Sequence, residues 1–201
     1  MDSRLILASH SPRRQDLLKQ VGLNFEVVPS GVVENFVQTE SPRQHVTRLA
    51  EAKAREVASK HSNCWVVSAD TIVYIDGSIL GKPKDWKEAA EMLRRLSGRE
   101  HLVLTGFSVL HFERGKGEQD AAETVVRMKP LTSAEIEWYV KTGEPFDKAG
   151  GYAIQGIGSY MIQSIQGSYT NVVGLPLCEL IQMLSRLGAI AISERGMRNA
   201  D

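Results

Sequence analysis

The run CWVVSADTIVY, residues 64–74, limits what this chain can fold into more than any other stretch. β-Branched and aromatic side chains crowd it, as in a strand at the centre of a sheet. It is far shorter than the ~20 apolar residues that span a bilayer as a helix. Asp76-Gly77 follows as a turn signal, so the strand folds back through Ile79-Leu80 as a hairpin. Helix-patterned segments precede it, one over residues 12–21 closed by Gly22, the other opened by the capping-box pattern Ser41-Pro42-Arg43-Gln44 and running to about Lys60. With strand-like stretches at 4–8 and 25–28, the alternation predicts an α/β fold, a mixed sheet flanked by helices.

The second half continues the pattern. A capping box at Asp85-Trp86-Lys87-Glu88 opens a helix that buries Ala89, Met92, Leu93 and Leu96 and stops at Gly98. Two long strands, 101–112 and 121–128, are joined by the polar stretch 113–119, and Thr132-Ser133-Ala134-Glu135 boxes a helix ending near Gly143. The turn-rich residues 144–151 lead into strands at 152–155 and 159–165, and Pro176 opens a last amphipathic helix to about Leu187. Residues 193–201 form a polar tail expected to fray. No internal repeat or low-complexity segment occurs, and residues 1–201 read as one domain.

Charge and cysteine usage exclude several functions. The 24 basic and 24 acidic residues give a net charge of +0, which argues against a nucleic-acid or basic membrane-binding surface, so any cationic site is local. Cys64 and Cys178 lie far apart without metal-ligand spacing and read as buried free thiols of a reducing compartment. With no signal-peptide pattern and no apolar stretch of membrane-spanning length, the cytoplasm is the expected location. The five histidines are scattered, and Ser9, Ser11 and Ser68 have no histidine base at recognisable spacing, which disfavours a serine hydrolase. Neither GxxxxGK[ST] nor GxGxxG is present.

The polar residues that remain stand at strand ends, where α/β proteins gather function. Ser9-His10-Ser11-Pro12-Arg13-Arg14 follows the first strand and places two cations in the first turn of a helix, where the macrodipole disfavours them. Either both are solvated, or an anion such as a phosphate sits there among backbone N–H groups. Glu34 follows the second strand, Asp70 and Thr71 interrupt the central one, Lys82 lies in Gly81-Lys82-Pro83, and Gln155 stands in an apolar run. Taken singly, Asp70 reads equally as a satisfied buried acid, and Lys53, midway along a helix, as a snorkelling surface lysine. Taken together, four cations (Arg13, Arg14, Lys53, Lys82) and two carboxylates match what phosphoryl hydrolysis needs. Cations bind phosphate oxygens, and carboxylates hold Mg²⁺.

These segments together resemble the Maf family of nucleoside triphosphate pyrophosphatases. The resemblance is carried by LASHSPRR (7–14), the glutamate of GVVEN (31–35), RLAEAKA (48–54), SADTIV (68–73), LGKP (80–83), LSGREH (96–101), GEPFDKAGGYAIQG (143–156) and NVVGLPL (171–177). Each is unspecific alone, and in this order they are highly specific. The resemblance implies an elongated mixed sheet with two lobes around a nucleotide cleft. It also implies hydrolysis of a nucleoside triphosphate to the monophosphate and pyrophosphate, dependence on a divalent cation (Mg²⁺ or Mn²⁺), and a homodimer. By position, Asp70 looks like the proton acceptor and a metal ligand, Glu34 a metal ligand, and Lys53 and Lys82 supporting catalytic cations. Ser9, Arg13, Arg14, Thr71 and Gln155 look like substrate-binding residues. Gly31 and Val33 stand where members often carry acids, which puts metal binding on Glu34 and Asp70.

The form AGGYAIQG looks like the branch that acts on dTTP and UTP, in a house-cleaning role. An amide both donates and accepts, so Gln155 suits the O4 and N3–H edge shared by thymine and uracil. Two other readings stand beside it: the same reaction on a modified purine nucleotide such as methylated GTP, and a nucleotide-sensing, division-linked regulator without useful turnover.

Overall fold

A computed structural model describes residues 4–37, 39–193 and 196–199. Its strands are β1 (Leu5–Leu7), β2 (Glu26–Val27), β3 (Trp65–Ile75), β4 (Ser78–Leu80), β5 (Glu100–His111), β6 (Lys116–Met128), β7 (Ile162–Gln166), β8 (Ile190–Ser193) and β9 (Gly196–Asn199). The helices are α1 (Pro12–Gln20), α2 (Pro42–Ala58), α3 (Trp86–Leu96), α4 (Ser133–Lys141), α5 (Tyr169–Val173) and α6 (Leu177–Leu187). The main sheet has the order β2-β1-β3-β5-β6-β7, with β4 paired to β3. It is mixed, since β1 runs parallel to β2 and β3, while β3/β4 and β6/β7 are antiparallel. No helix among the described residues is long and apolar enough to cross a membrane.

The chain divides into two compact units, one of Met1–Asp70, Thr105–Ala122 and Gly174–Asp201, the other of Thr71–Leu104 and Glu123–Val173. In the first, α2 presents Val46, Leu49, Ala50, Lys53, Ala54 and Val57 as its buried face, at helical spacing. Ser41 caps it with a complete capping box. The helix is seated backbone to backbone, because a Cβ on Gly106 would lie 2.3 Å from the Val46 carbonyl. Ser68 Oγ donates to the Ala50 carbonyl (2.5 Å), fixing the helix along its length. In the second unit, α3 and α4 cover a core that includes Val73, Leu93, Leu96, Val126, Met128, Ile136, Tyr139 and Met161. The hairpin between β3 and β4 turns on Asp76 (φ 50°) and Gly77 (φ 71°), both left-handed, as its two-residue turn requires.

Several expectations are corrected. Asp85 accepts from Glu88 N, but Glu88 Oε2 reaches Lys84 N (2.7 Å) rather than the N-cap, so the box is half formed. Residues 152–155 are not a strand but an irregular link between two 3₁₀ turns, bounded by left-handed Gly150, Gly151 and Gly156, a conformation outside pleated backbone. The tail is not wholly frayed, since Ile190–Ser193 and Gly196–Asn199 pair antiparallel; the fraying expected of residues 194–195 and 200–201 lies outside the described residues. Both cysteines are free, but only Cys64 is buried. Cys178 is exposed because α6 turns Leu180, Met183 and Leu184 inward.

Candidate active site

In the first unit, β1 delivers the chain to the turn Ser9–Ser11 and α1 begins at Pro12. Ser11 is the N-cap residue, yet its side chain caps nothing; instead Ser9 Oγ, 7% exposed, accepts the Ser11 N–H (3.2 Å) and stiffens the turn. Arg14 explains the two adjacent cations in part. Its Nη1 donates to Ser9 Oγ (3.1 Å) and the Ala69 carbonyl (2.8 Å), and its Nε to the Gly174 carbonyl (2.8 Å). Burial pushes this guanidinium below its usual range, and the nearby Asp70 and Glu34 charges oppose that push. Arg14 therefore ties the turn to the residue before Asp70. Arg13, half-buried beside it on α1, is the other cation of the pair.

Glu34 sits on an exposed loop that is pinned from α2. Gly31 N donates to Glu56 Oε2 (3.0 Å) and Arg48 Nη2 to the Asn35 carbonyl (3.0 Å). Lys60, Ser30 and Gly31, in that order, hold the Glu56 carboxyl down to about 2, so the pin keeps its charge. At the centre stands Lys53, 8% exposed on the buried face of α2. Its Nζ donates to Glu34 Oε1 (2.6 Å) and to Asp70 Oδ1 (2.7 Å), and Asp70 is itself 6% exposed. Buried charge persists only when paired, and one ammonium here serves two carboxylates.

Two carboxylate oxygens that approach one cation from different elements form a hard donor pair. Among the described residues, no three His, Cys, Asp or Glu side chains gather as a ready-made metal cage. Mg²⁺ commonly takes one or two carboxylates and completes its shell from substrate phosphates and water, so Glu34 and Asp70 are the residues that would hold such an ion.

The second unit holds the remaining residues. Thr71 is half-buried on β3, and Lys82 is exposed in the segment after β4. Gly150 N donates to the Gly81 carbonyl (3.0 Å), which joins the Lys82 segment to the residues leading toward Gln155. Gly150 (φ 69°) lies so close to β3 that a Cβ there would meet Val73 Cγ2 at 2.8 Å. Gln155 is half-buried on the irregular link. The expected residues thus fall into two sets: Ser9, Arg13, Arg14, Glu34, Lys53 and Asp70 in one unit, and Thr71, Lys82 and Gln155 in the other. Sequence reasoning missed His101, whose Nε2 pairs with the Tyr152 hydroxyl (2.6 Å) just before Gln155. Its place in a β-branched strand signalled burial, not the partner.

The family profile described as "Maf-like protein" matches residues 4–187. The chain belongs to that family. This Maf-like protein is 55% identical over 193 residues to a protein of Syntrophotalea carbinolica named "dTTP/UTP pyrophosphatase", covering 95% of this chain and 88% of that one. It is 53% identical over 188 residues to a Geotalea uraniireducens protein of the same name, covering 94% and 97%. Among solved structures, a HAM1 protein from Coxiella burnetii resembles it with a TM-score of 0.53 at 15% identity, covering 92% of this chain and 99% of that one. At that identity the likeness bears on the fold alone.

Proposed function

We propose that this Maf-like protein hydrolyses dTTP and UTP to the monophosphate and pyrophosphate in the cytoplasm. The names of its relatives support the reaction. The arrangement that carries the reading is Lys53 held between Glu34 and Asp70. Asp70 takes the proton from the attacking water. A bond forms from that water's oxygen to the α-phosphorus, the bond from the α-phosphorus to its bridging oxygen breaks, and pyrophosphate leaves. Lys53 holds the Asp70 carboxylate in place through its hydrogen bond to Oδ1, and Arg13 and Lys82 supply charge for phosphate oxygens. Glu34 and Asp70 would hold the divalent cation, which when bound neutralises the developing charge on the phosphates. Gln155 reads the pyrimidine edge with an amide that donates and accepts.

The test is pyrophosphate release from dTTP, UTP, CTP, GTP and methylated GTP with Mg²⁺ or Mn²⁺. The expected outcome is metal-dependent release centred on dTTP and UTP that falls about 10³-fold in Asp70→Asn. Equal turnover by the variant would remove Asp70 from the chemistry, and preference for a purine would remove the pyrimidine reading.

A further inference from the structure

Gln155 lies on a link without regular hydrogen bonding, yet the backbone on both sides of it is held by one pair of side chains. Tyr139, fully buried on α4, donates its hydroxyl to Glu144 Oε1 (2.8 Å) and also bonds the backbone of Ala153. Glu144 accepts Ile157 N through Oε2 and Gly158 N through Oε1, both at 2.9 Å. Backbone groups before and after Gln155 therefore converge on a single tyrosine–carboxylate pair. The fit leaves no room for side chains, since a Cβ on Gly158 would lie 2.6 Å from Tyr139 Oη and one on Gly156 (φ 76°) 2.8 Å from Glu144 Oε2. Burial works to raise the Glu144 pKa, but the Gly158, Tyr139 and Ile157 donors and the Lys148 charge outweigh it and keep the group below the usual carboxylate range.

A carboxylate that accepts three internal donors is occupied inside the protein, so its role here is positional. The position matters for a chemical reason. A glutamine amide turned over by 180° exchanges its donor and acceptor, and the reversed pattern suits cytosine as well as the original suits uracil. That exchange is a rotation within the side chain; what the backbone sets is the distance and angle at which the amide meets the base, and on a loose loop that geometry would favour neither base. We propose that Tyr139 and Glu144 are the positioning residues that hold the backbone of Gln155 at one distance and angle to the base and so set the preference for uracil and thymine over cytosine. This rests on the reading of Gln155 as the residue that meets the base.

The experiment measures kcat and KM for UTP and CTP in wild type, Tyr139→Phe, Glu144→Gln, Gln155→Ala and the Tyr139→Phe/Gln155→Ala double variant. The expected result is a fall of about tenfold in the UTP-to-CTP ratio of kcat/KM for each single variant, carried mainly by KM for UTP. No further fall is expected in the double variant. Tyr139→Phe keeps the buried ring, and the ratio does not depend on how much of the enzyme is active. A role confined to stability would scale kcat for both nucleotides and leave the ratio alone, which would overturn the proposal, as would additive losses in the double variant. A ratio that falls with Gln155→Ala but not with Tyr139→Phe or Glu144→Gln would overturn the positioning role and leave the base reading intact. A ratio untouched by Gln155→Ala would sink both.

Discussion

Around Lys53, charged side chains from a helix, a loop and a strand hold one another in the first unit. Around Gln155, backbone groups are held by a tyrosine and one carboxylate in the second. The first arrangement stores electrostatic energy beside a buried carboxylate, where a low dielectric makes charge effective. The second stores shape, through glycines that let the chain wrap closely onto two side chains. Under the function proposed above, the contrast is a division of labour, with rate drawn from buried charge and selectivity drawn from a fixed backbone.

The strongest challenge to that division is Lys53→Met, which leaves Glu34 and Asp70 facing each other without their shared cation. Turnover of every nucleotide is expected to fall by about 10³-fold, and urea unfolding to show a loss of about 3 kcal/mol. The UTP-to-CTP ratio of the residual activity should hold, and a ratio that collapsed with the rate would merge the two regions.

A second test uses pH. Burial lowers the His101 pKa from 6.5 to about 4, and its Nδ1 is buried without a hydrogen-bond partner. The unfolded chain takes up this proton below about pH 6.5 while the folded chain resists, so the contribution is fully present above 6.5 and is lost as pH falls toward 4. Its size is roughly 3 kcal/mol. Unfolding measured at pH 7, 5.5 and 4.5 should give a shallower pH slope in His101→Gln than in wild type; parallel slopes would show that His101 is not the group responsible.

The smallest effects come from the two complete capping boxes, at Ser41 on α2 and Thr132 on α4. Ser41→Ala and Thr132→Ala should each cost about 1 kcal/mol. The first loosens the helix that carries Lys53 and should lower kcat slightly, whereas the second loosens the helix that carries Tyr139 and should lower the base ratio. A reversal of those readouts would invert the division.

Much of the charged region was legible in the sequence. Asp70 interrupts a β-branched run, and the spacing Val46, Leu49, Ala50, Lys53, Ala54, Val57 puts Lys53 inside the apolar stripe of α2, although a snorkelling lysine fits the same pattern. What Arg14 grips was not legible. Two of its partners are the main-chain carbonyls of Ala69 and Gly174, and a carbonyl carries no residue signature. The Gln155 region was misread because Tyr152-Ala153-Ile154 has strand composition, while Gly150, Gly151 and Gly156 impose left-handed backbone at its edges. Local propensity yields where tertiary hydrogen bonds hold the chain.

The close packing of Gly158 against Tyr139 Oη, and of Gly156 against Glu144, has an evolutionary consequence. A side chain at position 156 or 158 would collide with Glu144 or Tyr139, so those two glycines can change only if the residue they pack against changes with them. Position 155 is mounted on that frame without being part of it. If Gln155 meets the base as proposed, a lineage can rewrite which base is accepted by exchanging a single side chain, while the scaffold that presents it stays the same.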